Sequence, residues 1–376
     1  MTLRVEVEPK LLSWAIERSG VDSLVLHHRF KKLDSWLDQS FKPTLKQVEA
    51  FAKATRTPIG YLFLHEPPKE QIPIPNFRTI SNVQLSQPSA NLLDTIYICQ
   101  QRQEWYRDYA RNNGLKTLDY VGSVDRKAPI KEVAKHIRKR LGFDLGARRS
   151  MRTWEEALRS FIASADAAGI MVMCSSIVLN NTRRKLNPEE FRGFALTDNL
   201  APLVFINGAD TKSAQMFTLA HELAHLWLGE TALSSADLSG QEEQAVERWC
   251  NTVVAELLVP LSVFSAELRD EDLSNALRRL ARRFKVSTLV ILRCMLDAEY
   301  LSSEEYSQAY TLELERLLSI SGGSGGDFYL SQPNKLSKCF ARALVVSTME
   351  GQTLYRDAMR MLGVKKVSTC LCRHRG

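Results

Sequence analysis

His221, Glu222 and His225 stand in the stretch QMFTLAHELAHLWLG, residues 215–229, and their spacing is that of metal-assisted hydrolysis. In a helix, residues i and i+4 share one face a turn apart, so two imidazoles there reach one ion. Zinc in a hydrolytic site takes three protein ligands and leaves a fourth position to water. Glu222 lies about 100° round the helix from His221, badly angled as a ligand to the same ion and well angled to deprotonate that water. The ion lowers the water's pKa towards ~7, so a carboxylate of ordinary basicity can take the proton. Three fixed residues recur by chance in roughly one chain per hundred of this length, so context has to decide. Here an apolar segment precedes the helix, and Phe217, Ala220, Leu223, Ala224 and Trp227 give it a packed face. The competing reading is a pair of core histidines bonded to backbone carbonyls, an uncommon use of buried polar groups.

A third ligand has to come from a second helix, and GQEEQAVERWCNTVVAELLVP, residues 240–260, offers Glu242, Glu243, Glu247 and Glu256. At 100° per residue, Val246, Cys250, Val253, Val254, Leu257 and Leu258 form one apolar arc. Glu256 falls opposite the arc and Glu242 at its edge, whereas Glu243 and Glu247 lie within it. A carboxylate on a buried face needs a cationic partner, which zinc would provide. Spacing alone does not choose between the two.

The stretch FTLAHELAHLWLG followed by E-R-W-C-N-x-V-V-A-E-L-L-V-P resembles the ImmA/IrrE family of zinc metallopeptidases. That family repeats a helical HExxH and, downstream, E-x-x-x-N-x-x-A-x-E-L-L-x-P. The resemblance implies a gluzincin-like site in which Glu247 is the third metal ligand and Glu243 supports it from outside the ligand set. The family's FAAELLMP reads VVAELLVP here, a conservative packing change. WAIERSG, PTLKQVEAFAKATRTPIGYLFL and NFRT are similar to members with an Xre-like helix-turn-helix before the peptidase. LARRFKVSTLVILRCM and AMRMLGVKK resemble the segments after it. The likeness runs over nearly the whole chain, strongest over 190–260 and weakest over 80–170. It implies cleavage of a repressor, antitoxin or similar regulator in a stress, mobile-element or defence response.

The elements that must hold these residues are mostly helical. Thr44 three residues before Gln47, and Thr153 three before Glu156, have capping-box spacing at helix starts. Pro58 ends the first of these helices, and HEPPKEQIPIPNF is a proline-rich break. IMVMCSSIVL, FRGFALT and APLVFING read as short strands, the last two joined as a hairpin by an Asp-Asn turn. The expectation is a mainly α fold with a small β-sheet. Its parts are a helix-turn-helix-like domain (1–68), a helical connection (69–168), a metallopeptidase core (169–300) and a helical, Gly-rich C-terminal segment (301–376). A peptidase commonly aligns its substrate as an added strand on a sheet edge. Val204, Phe205, Ile206 and Asn207, just upstream of the motif helix, are the expected edge, with an ordinary core strand as the alternative.

The 376 residues are 44% hydrophobic and 25% charged, a globular composition with no apolar run of membrane-spanning length. Seven scattered cysteines argue against a disulfide framework, and the N-terminus lacks a secretory layout, so a cytoplasmic protein is expected. The net charge of +7 permits nucleic-acid contact without demonstrating it. A second reading makes the chain a DNA-binding regulator or antitoxin-like partner, with the zinc fold as sensor or scaffold. Residues 1–65 would then bind DNA with KKLDSWLDQSF near the recognition helix, although Asp34 and Asp38 would oppose phosphate. KHIRKRLGFDLGARRSMR and RRLARRFKVS could track phosphates, but such runs are usually solvated helix faces. CLCRHRG has poor zinc-finger spacing and reads as a frayed tail. The expected cofactor is Zn2+, the expected partner a protein substrate, and a homodimer stays open.

Overall fold

The computed structural model describes residues 3–68, 70, 73–74, 88–143, 145–234, 241–320 and 336–364, without the side chains of 232–234, 241–244 and 318–320. The Gly-rich stretch SISGGSGGDFYL (beyond its first two residues) and the tail CLCRHRG lie outside the described residues. The chain divides into two compact units, Met1–Pro73 with Val83–Tyr97, and Ile74–Asn82 with Ile98–Gly376.

The first unit holds α1 (Pro9–Ser19), α2 (Ser23–Arg29), α3 (Leu33–Leu37), α4 (Leu45–Thr55) and a 3-10 turn at Ile59–Phe63. Leu11, Leu12, Trp14, Trp36, Val48 and Phe51 make its core. Thr44 and Gln47 form the reciprocal capping box at the start of α4. The segment expected near a recognition helix is the five-residue α3. Its Leu33 and Trp36 turn into the core, and Asp34 and Asp38 flank them in solvent.

The helix α5 (Ala90–Asn112) leads into the second unit, followed by α6 (Ile130–Leu141), α7 (Leu145–Ser150) and α8 (Trp154–Ala167). Three strands come next, β1 (Met171–Ser175), β2 (Gly193–Leu196) and β3 (Leu203–Asn207), then the motif helix α9 (Lys212–Leu228), β4 (Ala232–Ser234) and α10 (Gln241–Leu258). The helices α11 (Leu261–Ser265), α12 (Leu273–Phe284), α13 (Thr288–Asp297), α14 (Ser303–Ile320), α15 (Lys338–Met349) and α16 (Tyr355–Leu362) complete the described residues. The fold is mainly α with a small β-sheet, as its sequence implies. Among the described residues no helix is long and apolar enough to cross a membrane.

The sheet order is β1-β3-β2-β4, with β1 parallel to β3 and the other pairs antiparallel. β2 and β3 form the expected hairpin. Asp198 holds its turn by accepting from the backbone N–H groups of Leu200 and Ala201, both at 2.8 Å. Gln103 donates to Leu196 O and Ala201 O at the hairpin's base.

This topology corrects the expected substrate edge. Val204, Phe205, Ile206 and Asn207 belong to an interior strand, paired on both sides and buried at every position. The reason is legible in LVFIN itself: an unbroken apolar run suits a strand covered on both faces, whereas an edge strand usually carries charges or breaks. The edges of the sheet are β1 and β4, and α15 packs against β1.

Candidate metal centre

The motif helix α9 is buried round nearly its whole circumference from Gln215 to Trp227. Thr211 caps its start by accepting from Ala214 N, and Gly229 ends it in the left-handed conformation at φ 77°. A Cβ at Gly229 would come within 2.9 Å of Gly122 Cα, so the two chain segments cross where only glycine fits. Trp227 stacks on Tyr120 at 4.5 Å between ring centroids and donates to His136 Nδ1.

The apolar arc expected on α10 is buried as drawn: Val246, Cys250, Val253, Val254, Leu257 and Leu258 all enter the core. Its last carbonyls have no partners within the helix, and arginines from the first basic cluster supply them. Arg138 donates to Glu256 O at 2.7 Å and to Leu257 O at 3.3 Å, and buried Arg148 donates to Leu258 O. In the second cluster, Arg279 pairs with Glu271 and Arg283 with Glu267, which Arg149 also meets. These cations fasten the helices next to the site. Sequence reasoning missed this role, although three α10 carbonyls beside a proline are the kind of helix end that basic side chains seek.

The packing of α9 on α10 brings His221, His225 and Glu247 together in a buried cluster. His221 Nε2 lies 2.9 Å from one Glu247 oxygen, His225 Nε2 lies 3.3 Å from the other, and the two Nε2 atoms are 3.1 Å apart. Burial pushes the Glu247 carboxyl up, but the hydrogen bonds and charges of His221 and His225 outweigh it and hold the group well below the usual carboxylate range. Burial pushes His225 down, and Cys250, Glu247 and Glu222 together raise it well above the ordinary imidazole value. Tetrahedral zinc with bonds of about 2.0–2.1 Å sets its ligand atoms roughly 3.3 Å apart, and one donor atom from each of the three residues lies within 4.8 Å of the others, close enough to converge on one such ion.

Glu222 is fully buried on the same helix and outside that cluster. It faces the sheet at Gly193, where a Cβ would sit 3.4 Å from Glu222 Oε1, 2.5 Å from Thr218 Cγ2 and 2.7 Å from Phe205 O. Gly193 is therefore a second position sequence reasoning passed over; the lone glycine inside the strand pattern FRGFALT was the signal for a close approach. Of the other candidates, Glu256 accepts from Leu261 N and caps α11. The side chains of Glu242 and Glu243 lie outside the described residues.

A helical HExxH whose two histidines meet a glutamate from a second helix, with the motif carboxylate beside them, is the arrangement of a gluzincin-type metallopeptidase domain. Residues 165–295 match the family model of the IrrE N-terminal-like domain, Peptidase_M78. That match makes this part of the chain similar to the IrrE-like metallopeptidases. The chain is also 37% identical over 101 residues to the Radiation response metalloprotease IrrE of Deinococcus radiodurans. This match spans 25% of the present chain and 31% of the relative's length. Residues 336–370 match a domain of unknown function (DUF8813).

Proposed function

We propose that the chain is a zinc-dependent endopeptidase in which His221, His225 and Glu247 hold the ion and Glu222 acts first as general base and then as general acid. The carrying observation is the fully buried Glu222 carboxylate, next to the donor cluster in sequence and outside it in space. A purely structural zinc site has four protein ligands and no use for such a group. Zinc held by the three donors supplies Lewis acidity, polarising a peptide carbonyl and acidifying water. Glu222 takes a proton from the attacking water and passes it to the departing amine as the C–N bond breaks, so it ends the cycle ionised as it began. Glu247 contributes the negative charge and the two imidazoles the neutral donors that a divalent ion requires.

An extended peptide would pair along the outer edge of β4. That strand directly follows α9, packs against it, and forms the sheet edge on the same side as β2 and Glu222. The substrate class is a regulatory protein, of repressor or antitoxin type, in the cytoplasm; the description of the Deinococcus relative as a radiation response metalloprotease supports a stress setting.

The test compares zinc-loaded wild type with Glu222→Gln on a proteome-derived peptide library, reading new termini by mass spectrometry. Both proteins should retain about one zinc per chain, and the variant should cleave at least ~100-fold more slowly. A zinc-loaded wild type that cuts no faster than the variant, or one that takes up no zinc, overturns the reading.

A further inference from the structure

Between Gln215 and Trp227 the motif helix shows one side chain to solvent. Phe217 is half-buried, and every other residue of that stretch is buried. It precedes His221 by four residues and His225 by eight, so the three lie along one face of α9. The Phe217 and His221 rings stand 6.2 Å apart between centroids and only 27° from parallel. One turn earlier that face carries small, half-buried side chains, Ser213 and Ala214, so nothing bulky on α9 covers the outer part of the ring. His221, Glu222, His225 and Glu247 are themselves buried. On this face of α9, the part of the candidate centre that meets solvent is therefore an aromatic ring.

The register of the sheet brings a peptide to the same level. Ser234 of β4 pairs with Gly193 of β2, and Gly193 is the position that meets Thr218 and Glu222. A strand added beyond β4 thus runs past the turn of α9 that begins at Phe217.

We propose that Phe217 is a specificity-determining residue, its ring forming one wall of the subsite for a substrate side chain beside the scissile bond, and that it selects an apolar side chain there. The inference rests on the endopeptidase reading above and adds the chemistry of the substrate. A phenyl ring offers area and no group to replace water, so a polar side chain entering beside it gives up solvation without return. An apolar side chain gains by leaving water.

The zinc-loaded wild type and Phe217→Ala are given the same proteome-derived peptide library, and the zinc content of each is measured. Wild-type cuts should show apolar residues enriched at one position flanking the scissile bond. The Ala variant should keep about one zinc per chain and lose that preference by about tenfold or more, the scale on which a hydrophobic subsite discriminates. Binding is read separately in the slow Glu222→Gln background, with two peptides of a cleaved sequence that differ only in carrying leucine or serine at that position. Adding Phe217→Ala should bring their dissociation constants together by weakening the leucine peptide. Cleavage with no apolar preference, or a preference unchanged in the Ala variant, overturns this inference and leaves the peptidase reading standing. Loss of zinc from the Ala variant overturns it too, since the ring would then be serving His221 and not the substrate. Should the Ala variant fail to fold, Phe217→Leu decides: the smaller wall should admit a bulkier apolar side chain, and an unchanged profile sinks the assignment. A zinc-loaded wild type that cuts nothing sinks both readings together.

Discussion

A carboxylate cut off from water persists as an anion only beside positive charge, and Glu247 has two imidazoles for company. On the proposed function, its contribution to a bound ion would be charge as much as an oxygen atom. Glu247→Gln keeps the size and a carbonyl donor while removing that charge, so it should leave the fold intact and empty the site. Metal analysis after dialysis should show about one zinc per chain in the wild type and close to none in the variant. A fully loaded Gln variant would mean that the two histidines suffice and that Glu247 is a neighbour. Glu222 was readable from the motif because helix geometry alone separates its direction from that of His221. Glu247 was not so readable: a helical wheel left it level with Glu243, and only family resemblance preferred it. The distances now put its oxygens in hydrogen-bond range of both imidazoles, a relation between two helices that no single-helix pattern contains.

At the scale of elements, the helices were legible where their ends carry chemistry. Thr44 and Gln47 cap each other reciprocally as their spacing implies. Thr153 caps through Glu156 N, while the Glu156 side chain reaches back one residue further, to Arg152 N. The strands were legible as strands, but their order was not, because pairing is decided by which faces neighbouring elements cover. Hence an interior strand could pass for an edge, and the sequence did not show that several arginines of the two basic runs grip the last carbonyls of α10 and the glutamates of the loop between α11 and α12. Gly193 shows how closely β2 and α9 are drawn together. Gly193→Ala should cost about 1–3 kcal/mol by overpacking. Adding Thr218→Ser, which deletes the nearest methyl group, should return part of that loss and not all of it, because Phe205 O remains in the way. Urea midpoints of the single and double variants measure this; a neutral Gly193→Ala would show that the strand moves freely against the helix.

For the molecule as a whole, two buried thiols and one half-buried one set a limit in alkali. Burial is the chief cause that pushes Cys99, Cys294 and Cys339 each up to about 12. The folded chain keeps protons that the unfolded chain gives up from an ordinary thiol value of 9.0, so this stabilisation is complete below that pH and drains away as pH rises towards 12. Each group adds a slope of up to about 1.4 kcal/mol per pH unit in that window. Urea unfolding on either side of pH 9 should show the midpoint falling, and less steeply in Cys294→Ala; an unchanged slope would remove that thiol from the account. The second unit also ends by returning to where it started. Arg102 donates to Met361 O, 259 positions later, while Trp105 bonds Thr353 and meets Phe340 edge-on. A ribosome adds roughly 5–20 residues each second, so Arg102 waits on the order of tens of seconds for its acceptor to be made. Throughout that interval the growing chain presents on α5 a tryptophan whose partners Phe340 and Thr353 are still to be made, so a helix synthesised much later, α15, and the turn after it are what shelter it.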